Sequence, residues 1–293
     1  MIIIPGPASS SLGNKIAEEM DCKTVDVITK SFPDGEYALR FNHDLISKDV
    51  VVVQTTGPPQ AENVLQLLLM LDAAKDLGAK TVTAVIPYLA FARQDKRFLK
   101  FEAVSALTLV KLIESCGVDK LITVNIHSAD ILAKSKIPTI NLSAITLLAE
   151  HLKNKGLNGA FSLSPDKGAV DLAKEADGIL GGGYGWLRKE RDRFTGEIQV
   201  EEKHLDVKGK DVVVFDDIIS TGGTIARAIK MLKNQKARRV FAACTHPLLI
   251  GEAKVKILQS GAEEIIGTDS LFSSVSTNST ISLAPLIAKA LKR

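Results

Sequence analysis

The residues best suited to chemistry lie in one stretch of the C-terminal half. The apolar run Val212 to Phe215 predicts a buried strand, and Asp216 and Asp217 follow it directly. A hydroxyl- and glycine-rich turn comes next and opens a predicted helix: Ser220, Thr221, Gly222, Gly223 and Thr224. Glycines let backbone N–H groups converge on an anion, and the helix N-terminus adds partial positive charge. The turn therefore predicts a cradle for a phosphate monoester.

The two carboxylates ahead of this turn narrow the class of ligand. Carboxylates accept hydrogen bonds from sugar hydroxyls and help to hold a divalent cation, so Asp216 and Asp217 favour a sugar phosphate with vicinal hydroxyls. A structural alternative is that the turn only caps and starts a helix. That alternative accounts for Ser220 and Gly222 but leaves both acids unexplained. Neither the Walker A lysine spacing nor G-x-G-x-x-G occurs at this point.

Two more polar residues follow predicted strands. His127 comes after the strand Leu121 to Asn125, and Asp166 comes after the strand Phe161 to Leu163. Ligands of open α/β sheets gather at the carboxyl ends of the strands, so both positions are candidates for chemistry. A lone histidine is more often a hydrogen-bonded structural residue, and Mg²⁺ prefers oxygen ligands. The residue types therefore favour Asp166 over His127 as a metal ligand.

Positive charge is concentrated in two segments. One follows the predicted strand Thr81 to Ile86 and runs from Arg93 to Arg97. The other, Leu187 to Arg193, holds four cations and has glycines on both sides. A solvated charge run and a solvated hairpin are the structural alternatives, because charges in loops are common. The flanking glycines favour a mobile basic flap for the second segment.

These candidate residues need a scaffold of strands that end at one edge. Short β-branched runs recur along the chain, and each is followed by a turn and a helical pattern. This alternation is typical of βαβ units that feed a mostly parallel sheet. The runs are continuously apolar, as strands covered by helices on both faces are. The sequence therefore predicts the α/β class.

An internal repeat of the pattern predicts two similar domains. Lys48-Asp49 precedes an all-valine strand, and Lys210-Asp211 precedes the strand Val212 to Phe215. A turn, a helix and a second strand follow in both cases with nearly the same spacing. The length of 293 residues also favours two domains. We expect domains at residues 1–142 and 143–293, with the final helix, 281–293, able to pack on either one.

Composition excludes several classes of protein. With 45% hydrophobic and 24% charged residues the chain is globular, and a net charge of +3 gives no general attraction for nucleic acid or membrane. The three cysteines are widely spaced, which argues against a disulfide framework or a zinc site. No apolar run approaches the roughly 20 residues that span a bilayer, and the N-terminus does not resemble a signal peptide. We expect a cytoplasmic protein without nucleic-acid or membrane partners.

The acid pair and the turn together resemble a known motif. Asp-Asp-x-x-Ser-Thr-Gly-Gly-Thr is similar to the 5-phosphoribosyl 1-diphosphate motif of type I phosphoribosyltransferases and ribose-phosphate diphosphokinases. The resemblance implies that the loop holds the ribose 5-phosphate group and that the acids meet the ribose hydroxyls. It also implies two phosphoribosyltransferase-like domains, each a mostly parallel sheet flanked by helices. Ser220, Lys167 and Asp130 stand where the family more often has Asp, a small residue and Gln.

Two segments of the first half favour the ribose-phosphate diphosphokinases within that group. The turn from Phe32 to Glu36 and the segment from Pro87 to Arg97 resemble the ATP site of this family. An aromatic ring and a guanidinium plane can sandwich a purine, which suits Phe32 and Arg93. The alternatives are a surface β-turn and a solvated charge run. The ATP-binding residues that the resemblance implies are Phe32, Asp34, Gly35, Glu36, Arg93 and Gln94.

The resemblance also implies metal and catalytic residues. His127 and Asp166 would be associated with Mg²⁺ near the ATP phosphates, and Lys189 and Arg191 of the basic flap would supply catalysis. A closing loop brings positive charge to phosphate oxygens as the transition state forms, so the second assignment is physically reasonable.

We therefore expect a ribose-phosphate diphosphokinase of nucleotide biosynthesis. Such an enzyme transfers the β,γ-diphosphoryl group of ATP to the anomeric hydroxyl of ribose 5-phosphate and releases AMP. Two alternatives stay open: a phosphoribosyltransferase that consumes the product, and a catalytically silent regulatory homologue. The resemblance further implies a homo-oligomer, at least a dimer, because a neighbouring subunit supplies the Phe32 turn to the family's ATP site.

Overall fold

The chain forms two compact units in its computed structural model. The first unit contains residues 1–142, 270–271 and 282–292, and the second contains the described part of residues 143–269 together with 277–281. The structure describes residues 1–187, 189–191, 198–200, 205–271 and 277–292, without the side chains of 189–191 and 198–200.

The first unit is built on a parallel sheet of six strands. Its strands along the chain are β1 (Ile2–Pro5), β2 (Lys23–Thr24), β3 (Val27–Ser31), β4 (Tyr37–Phe41), β5 (Asp49–Val53), β6 (Thr81–Ile86), β7 (Lys120–Val124) and β8 (Thr139–Leu142). The sheet has the order β2-β1-β5-β6-β7-β8, and every pair in it is parallel. The strands β3 and β4 form a separate antiparallel hairpin.

The second unit repeats this arrangement. Its strands are β9 (Phe161–Ser164), β10 (Tyr184–Trp186), β11 (Lys189–Arg191), β12 (Ile198–Val200), β13 (Asp211–Ile219), β14 (Arg239–Pro247), β15 (Glu264–Thr268) and β16 (Ser279–Ile281). The parallel sheet has the order β10-β9-β13-β14-β15-β16, and β11 and β12 form an antiparallel pair. Adding eight to each strand number of the first sheet gives the second. The predicted α/β class with two similar domains is therefore confirmed.

Helices cover these sheets. They are α1 (Ser10–Met20), α2 (Gln60–Asp76), α3 (Ser105–Ser115), α4 (Ile145–Leu152), α5 (Val170–Leu180), α6 (Gly223–Asn234), α7 (Ala253–Gln259) and α8 (Ala284–Leu291). Short 3-10 helices span Pro7–Ser9 and Ala129–Lys134, and a π-helical turn spans Lys153–Leu157. The last helix, α8, packs on α1 in the first unit. None of the described helices is long and apolar enough to cross a membrane.

The apolar patterns explain where the cores lie. Val212 to Phe215 in β13 are fully buried, as a strand with helices on both faces requires. Helix α6 turns Ile225, Ala228, Ile229 and Leu232 inward at intervals of three and four residues, so one apolar stripe packs on the sheet. Burial of these stripes is the main force that holds each sheet and its helices together.

Strand β13 is longer than the sequence suggested. The apolar run predicted a strand that ends at Phe215, but the backbone pairing with β14 continues until Ile219 lies opposite Pro247. Asp216 and Asp217 therefore lie within the strand and not after it. Pairing with the backbone of β14 keeps β13 extended at these residues. The hydrophobicity of the side chains alone does not reveal this pairing.

A buried acid fixes the other end of β13. The Asp211 side chain is only 6% exposed and accepts two hydrogen bonds each from Arg238 and Arg239, at 2.6 to 3.1 Å. These hydrogen bonds hold the pKa of Asp211 well below its usual range. Because the pKa is lower in the folded state, the carboxylate contributes stability above the unfolded pKa, about 3.9, and this contribution is lost as the pH falls below it.

Replacing Asp211 with asparagine is expected to lower the melting temperature at pH 7 and to flatten its fall between pH 5 and pH 3. Asparagine keeps the shape but has no charge to lose on acidification. Thermal unfolding at several pH values measures both effects. Asp206→Asn is the control, because Asp206 is 92% exposed and its ion pair with Lys210 lies at the surface. An unchanged pH dependence in Asp211→Asn would contradict the assigned role.

Candidate functional site

Two adjacent carboxylates lie at the carboxyl end of β13. Asp216 and Asp217 are partly buried. The Asp217 backbone N–H donates to Asp216 Oδ1 at 3.0 Å, and the Ile218 N–H donates to Asp217 Oδ1 at 2.8 Å. Burial raises the pKa of Asp216 well above its usual value, and the negative charges of Asp217 and Asp166 raise it further. This concentration of acceptors suits hydroxyl donors or a cation.

Asp166 belongs to the same cluster of acids. It follows β9, which pairs in parallel with β13, so the two strands end at the same edge of the sheet. Asp166 Oδ1 accepts the backbone N–H groups of Gly168 and Ala169 at 2.8 and 3.2 Å, which fixes the carboxylate at the start of α5. Its charge is close enough to Asp216 to raise the pKa of that residue. The three acids therefore form one electronegative cluster.

The turn after β13 opens directly into α6. Gly222 is the residue before the helix and adopts a left-handed conformation with φ of 72°. The first turn of α6 contains no acidic residue, and its N-cap residue, Gly222, has no side chain that could cap the backbone N–H groups. Free N–H groups at a helix N-terminus are suited to bind an anion.

The two glycines of the turn differ in what they tolerate. A Cβ added to Gly222 would lie 3.0 Å from Ile257 Cδ1 and 3.1 Å from the Ala253 carbonyl oxygen, whereas one added to Gly223 meets no atom within 4 Å. Gly222→Ala is expected to lower the free energy of unfolding by about 1–2 kcal/mol or more from its left-handed backbone alone. Gly223→Ala is expected to leave it nearly unchanged.

Urea unfolding of the two alanine variants measures this difference, and each serves as the control for the other. In the Gly223→Ala variant the new methyl group narrows the turn without strain, so its expected effect is a raised KM for the sugar phosphate. An equal loss of stability in both variants would contradict the backbone argument.

His127 lies in a turn after β7 in the first unit. The turn depends on Asn125, which is buried and adopts a positive φ of 38°. Asn141 on β8 holds it, because its Oδ1 accepts the Ile126 backbone N–H at 3.0 Å. The His127 side chain is exposed. The sequence did not predict the supporting role of Asn141. Asn125 could have been noticed, because asparagine adopts a positive φ more often than most residues.

The Phe32 turn is the exposed tip of the hairpin formed by β3 and β4. The Phe32 N–H donates to the Glu36 carbonyl at 2.7 Å, and the Gly35 N–H donates to the Phe32 carbonyl at 3.0 Å. Gly35 has a φ of 93°, which favours glycine. The Phe32 ring is 40% exposed and lies under the Lys30 ammonium. Geometrically this is the surface turn of the structural alternative, and it leaves the Phe32 ring partly exposed to solvent.

Arg93 and Gln94 lie in the loop between β6 and α3. Arg93 is exposed, and the Gln94 side chain donates to Glu102 Oε2 at 3.2 Å. The same carboxylate oxygen also accepts the backbone N–H groups of Phe98 and Leu99. Glu102 therefore organises this loop. Sequence reasoning missed Glu102, because no local motif marks an acid whose partners are backbone groups.

Lys189 and Arg191 belong to β11, which pairs with β12 so that Lys189 lies opposite Val200 and Arg191 opposite Ile198. The side chains of both residues lie outside the described part of the structure. The segment predicted as a basic flap thus contains one strand of an antiparallel pair, β11. This pair occupies the same place in the strand sequence as the hairpin of β3 and β4 in the first unit.

The described residues contain no preformed cluster of three or more His, Cys, Asp and Glu side chains arranged to hold a metal ion. This finding is compatible with Mg²⁺, which is usually bound through one or two carboxylates, substrate phosphates and several waters. The carboxylate oxygens of Asp166, Asp216 and Asp217 are donors of the type that Mg²⁺ prefers. A cation beside them would also relieve the repulsion that raises the pKa of Asp216.

Comparison with known proteins gives full-length matches. A family model described as the N-terminal domain of ribose phosphate pyrophosphokinase matches residues 1–117, and a phosphoribosyl transferase domain matches residues 135–270. A ribose-phosphate pyrophosphokinase of Methanothermobacter thermautotrophicus is 42% identical, over 99% of this chain and 100% of its own. One from Saccharolobus solfataricus is 38% identical, over 92% and 93% of the respective chains.

A solved structure has the same fold over the whole chain. The crystal structure of phosphoribosylpyrophosphate synthetase from Mycobacterium smegmatis superposes with a TM-score of 0.88 at 30% identity. The superposition covers 100% of this chain and 97% of the other. Both units of the fold therefore have counterparts in that enzyme.

Proposed function

The chain belongs to the ribose-phosphate pyrophosphokinase family and is an enzyme of that activity, and we propose which of its residues carry each part of the reaction. The β,γ-diphosphoryl group of ATP is transferred to the anomeric hydroxyl of ribose 5-phosphate, which gives 5-phosphoribosyl 1-diphosphate and AMP. The family match covers both halves of the chain. It therefore does not favour a phosphoribosyltransferase or a silent homologue.

In this proposal the second unit binds ribose 5-phosphate. The free N–H groups at the start of α6 hold the 5-phosphate, with Ser220 to Thr224 as the cradle. Asp216 and Asp217 accept hydrogen bonds from the ribose hydroxyls and so orient the anomeric oxygen. The observation that carries the proposal is the joint position of an uncapped helix N-terminus and an acid pair at the end of one strand, β13.

The first domain, residues 1–142, binds ATP in this proposal. Phe32 and Arg93 flank the adenine, and Asp34 and Glu36 accept hydrogen bonds from its amino group. Gly35 allows the tight turn that presents these residues, and Gln94, held by Glu102, supports the loop of Arg93. Because the Phe32 turn projects as an exposed hairpin tip, it is accessible to a second subunit. We propose a homo-oligomer, at least a dimer, in which one subunit completes the ATP site of another.

Enzymes of this kind act with a divalent metal ion, and we propose Mg²⁺, associated with Asp166 and His127. When bound, the ion would neutralise charge on the triphosphate. The chain's own residues position the substrates. They hold the anomeric hydroxyl in line with the β-phosphorus, and AMP leaves on the opposite side. Lys189 and Arg191 are the proposed donors to the oxygens of the transferred group. No protein nucleophile is needed.

Release of AMP tests the reaction. Purified protein incubated with ATP, ribose 5-phosphate and Mg²⁺ is expected to form equal amounts of AMP and 5-phosphoribosyl 1-diphosphate. Omission of the sugar phosphate is expected to abolish AMP formation. Binding of ATP and ribose 5-phosphate without AMP would instead support a silent homologue. The cytoplasmic location and the lack of a nucleic-acid partner expected from the sequence remain predictions.

A further inference from the structure

A cavity of about 200 Å³ lies in the first unit, outside the residues proposed for ATP. It is formed where the chain leaves β1 and β5, at the carboxyl edge of the sheet. Its apolar walls come mainly from Pro7, Pro58, Pro59 and Leu271. This volume is below the roughly 300–1,000 Å³ of pockets that hold drug-sized ligands. It suits a single flat ring system better than a nucleotide.

One wall of the cavity carries a polar atom without a partner. Thr55 lines the cavity and is only 2% exposed, and its Oγ1 has no hydrogen-bond partner within the part of the chain that the structure describes. The backbone of Thr55 is fixed, because its N–H donates to Ser9 Oγ at 2.7 Å. A buried hydroxyl without a partner is costly, so its presence at a cavity wall points to a ligand.

A chain of side-chain amides leads from the buried sheet to the cavity. Gln54 is fully buried, and its Oε1 accepts the Ala8 N–H at 3.0 Å. Gln54 Nε2 donates to Gln66 Oε1 at 3.2 Å, and Gln66 Nε2 donates to Glu62 Oε1 at 3.1 Å. These bonds fix the orientation of each amide and hold the Glu62 carboxylate at the cavity. Within the described residues, no hydrogen bond engages Glu62 Oε2, so it can accept one.

A second acceptor lies beside Glu62. Asn63 is 7% exposed and donates its Nδ2 to the Gly57 carbonyl at 2.8 Å, which leaves Oδ1 for another donor. None of the described lining residues is Lys or Arg. Glu62 therefore carries the one charge among the described lining residues, and Asn63 Oδ1 is a neutral acceptor beside it.

The electrostatics of this cavity are opposite to those of the phosphate turn. By strand order, the connection from β5 to α2 corresponds to the connection from β13 to α6. The first turn of α6 has no acid, whereas the first turn of α2 contains Glu62. A carboxylate at a helix N-terminus competes with any anion for the same N–H groups. The first unit thus keeps a pocket at the corresponding place but disfavours phosphate there.

We propose that this cavity binds an uncharged, flat heterocycle with an exocyclic amino group, of the adenine type. The amino group donates to Glu62 and Asn63, the Thr55 hydroxyl pairs with a ring nitrogen, and the proline rings pack on the faces of the heterocycle. Mostly apolar walls with a few fixed polar groups are typical of small-molecule sites. The site is separate from the ATP-binding residues, so it does not depend on the proposed function.

Calorimetric titration with adenine and hypoxanthine tests the ligand class. The two purines have similar size, but hypoxanthine carries an oxygen where adenine carries its amino group. Adenine is expected to bind wild-type protein about tenfold or more tightly than hypoxanthine, since the latter places an acceptor against a carboxylate. Equal affinities, or binding of neither purine, would overturn the proposal. Competition by inorganic phosphate is a further test. The proposal would also be overturned if phosphate competed with adenine in the wild-type protein but not in Thr55→Val.

Two variants locate the binding. Thr55→Val removes only the hydroxyl and is expected to weaken adenine binding about three- to tenfold, while the melting temperature does not fall, because the lost hydroxyl had no partner. Glu62→Gln is expected to weaken binding about fivefold or more. Asp76→Asn, at the far end of α2, is the matched control with unchanged affinity. Full affinity in both Thr55→Val and Glu62→Gln would refute the assignment.

A further variant separates the cavity from the ATP site. Arg93→Ala is expected to raise the KM for ATP and to keep the affinity for adenine. Loss of adenine binding in Arg93→Ala, with retention in Thr55→Val, would place adenine in the ATP site and overturn the inference. AMP formation by wild-type protein is measured in the same preparation, so failure of the cavity proposal is distinguishable from failure of the proposed function.

Discussion

Replacing Lys189 with alanine is expected to lower kcat by about 10²-fold or more, the loss typical of removing one preorganised electrostatic donor. If Lys189 meets phosphoryl oxygens only as charge develops, kcat and kcat/KM fall together and the KM values for both substrates change little. Initial rates of AMP formation, measured over ranges of ATP and ribose 5-phosphate, separate these parameters.

Two further variants make the Lys189 test specific. Lys189→Arg keeps the positive charge and is expected to recover part of the lost rate, although the geometry of its guanidinium differs from that of an ammonium. Lys174→Ala removes an exposed lysine from α5 and serves as the control for a general loss of charge. Near-normal turnover in Lys189→Ala would remove the segment of β11 from the mechanism.

Replacing Asp216 with asparagine is expected to have opposite effects on activity and stability. Loss of a charged acceptor for the ribose hydroxyls costs about 1.5–3 kcal/mol, so kcat/KM for ribose 5-phosphate should fall by roughly 10- to 100-fold. At the same time the variant removes a partly buried negative charge beside Asp217 and Asp166. The melting temperature should rise by about 2–4 °C for each kcal/mol of repulsion relieved.

The raised pKa of Asp216 determines how the stability gain of Asp216→Asn should change with pH. The pKa of Asp216 is raised in the folded protein, so its carboxylate costs no stability well below the unfolded pKa, where it is protonated in both states. The cost grows as the pH rises from the unfolded pKa towards the folded one. The gain of Asp216→Asn should therefore be larger at pH 8 than at pH 4. A melting temperature that falls in Asp216→Asn at pH 8 would show that the acids are not repelling each other; Asp206→Asn is the control.

A raised carboxyl pKa is expected at a site that binds hydrogen-bond donors. Carboxylates held close together in the free protein store unfavourable free energy, and sugar hydroxyls or a cation release it on binding. The free enzyme is thereby less stable, and the ligand binds more tightly because it removes the repulsion. Lower stability in exchange for function is common at functional sites.

The sequence by itself determined the features that depend on near neighbours along the chain. Continuous apolar runs such as Val212 to Phe215 predicted buried parallel strands, and the repeated strand, turn and helix predicted two similar halves. The left-handed turn at Gly222 and the opening of α6 follow from the residues of the turn itself. Such features were readable because backbone conformation and amphipathic spacing are local properties.

Only the tertiary structure decided which distant residues meet. The extension of β13 through Asp216 depends on its pairing with β14. Asp166 reaches the acid pair because β9 lies beside β13. Glu102 and Asn141 support their loops through backbone groups that no motif marks. Contacts between parts of the chain that are far apart depend on packing and strand order, and local residue patterns carry little information about them.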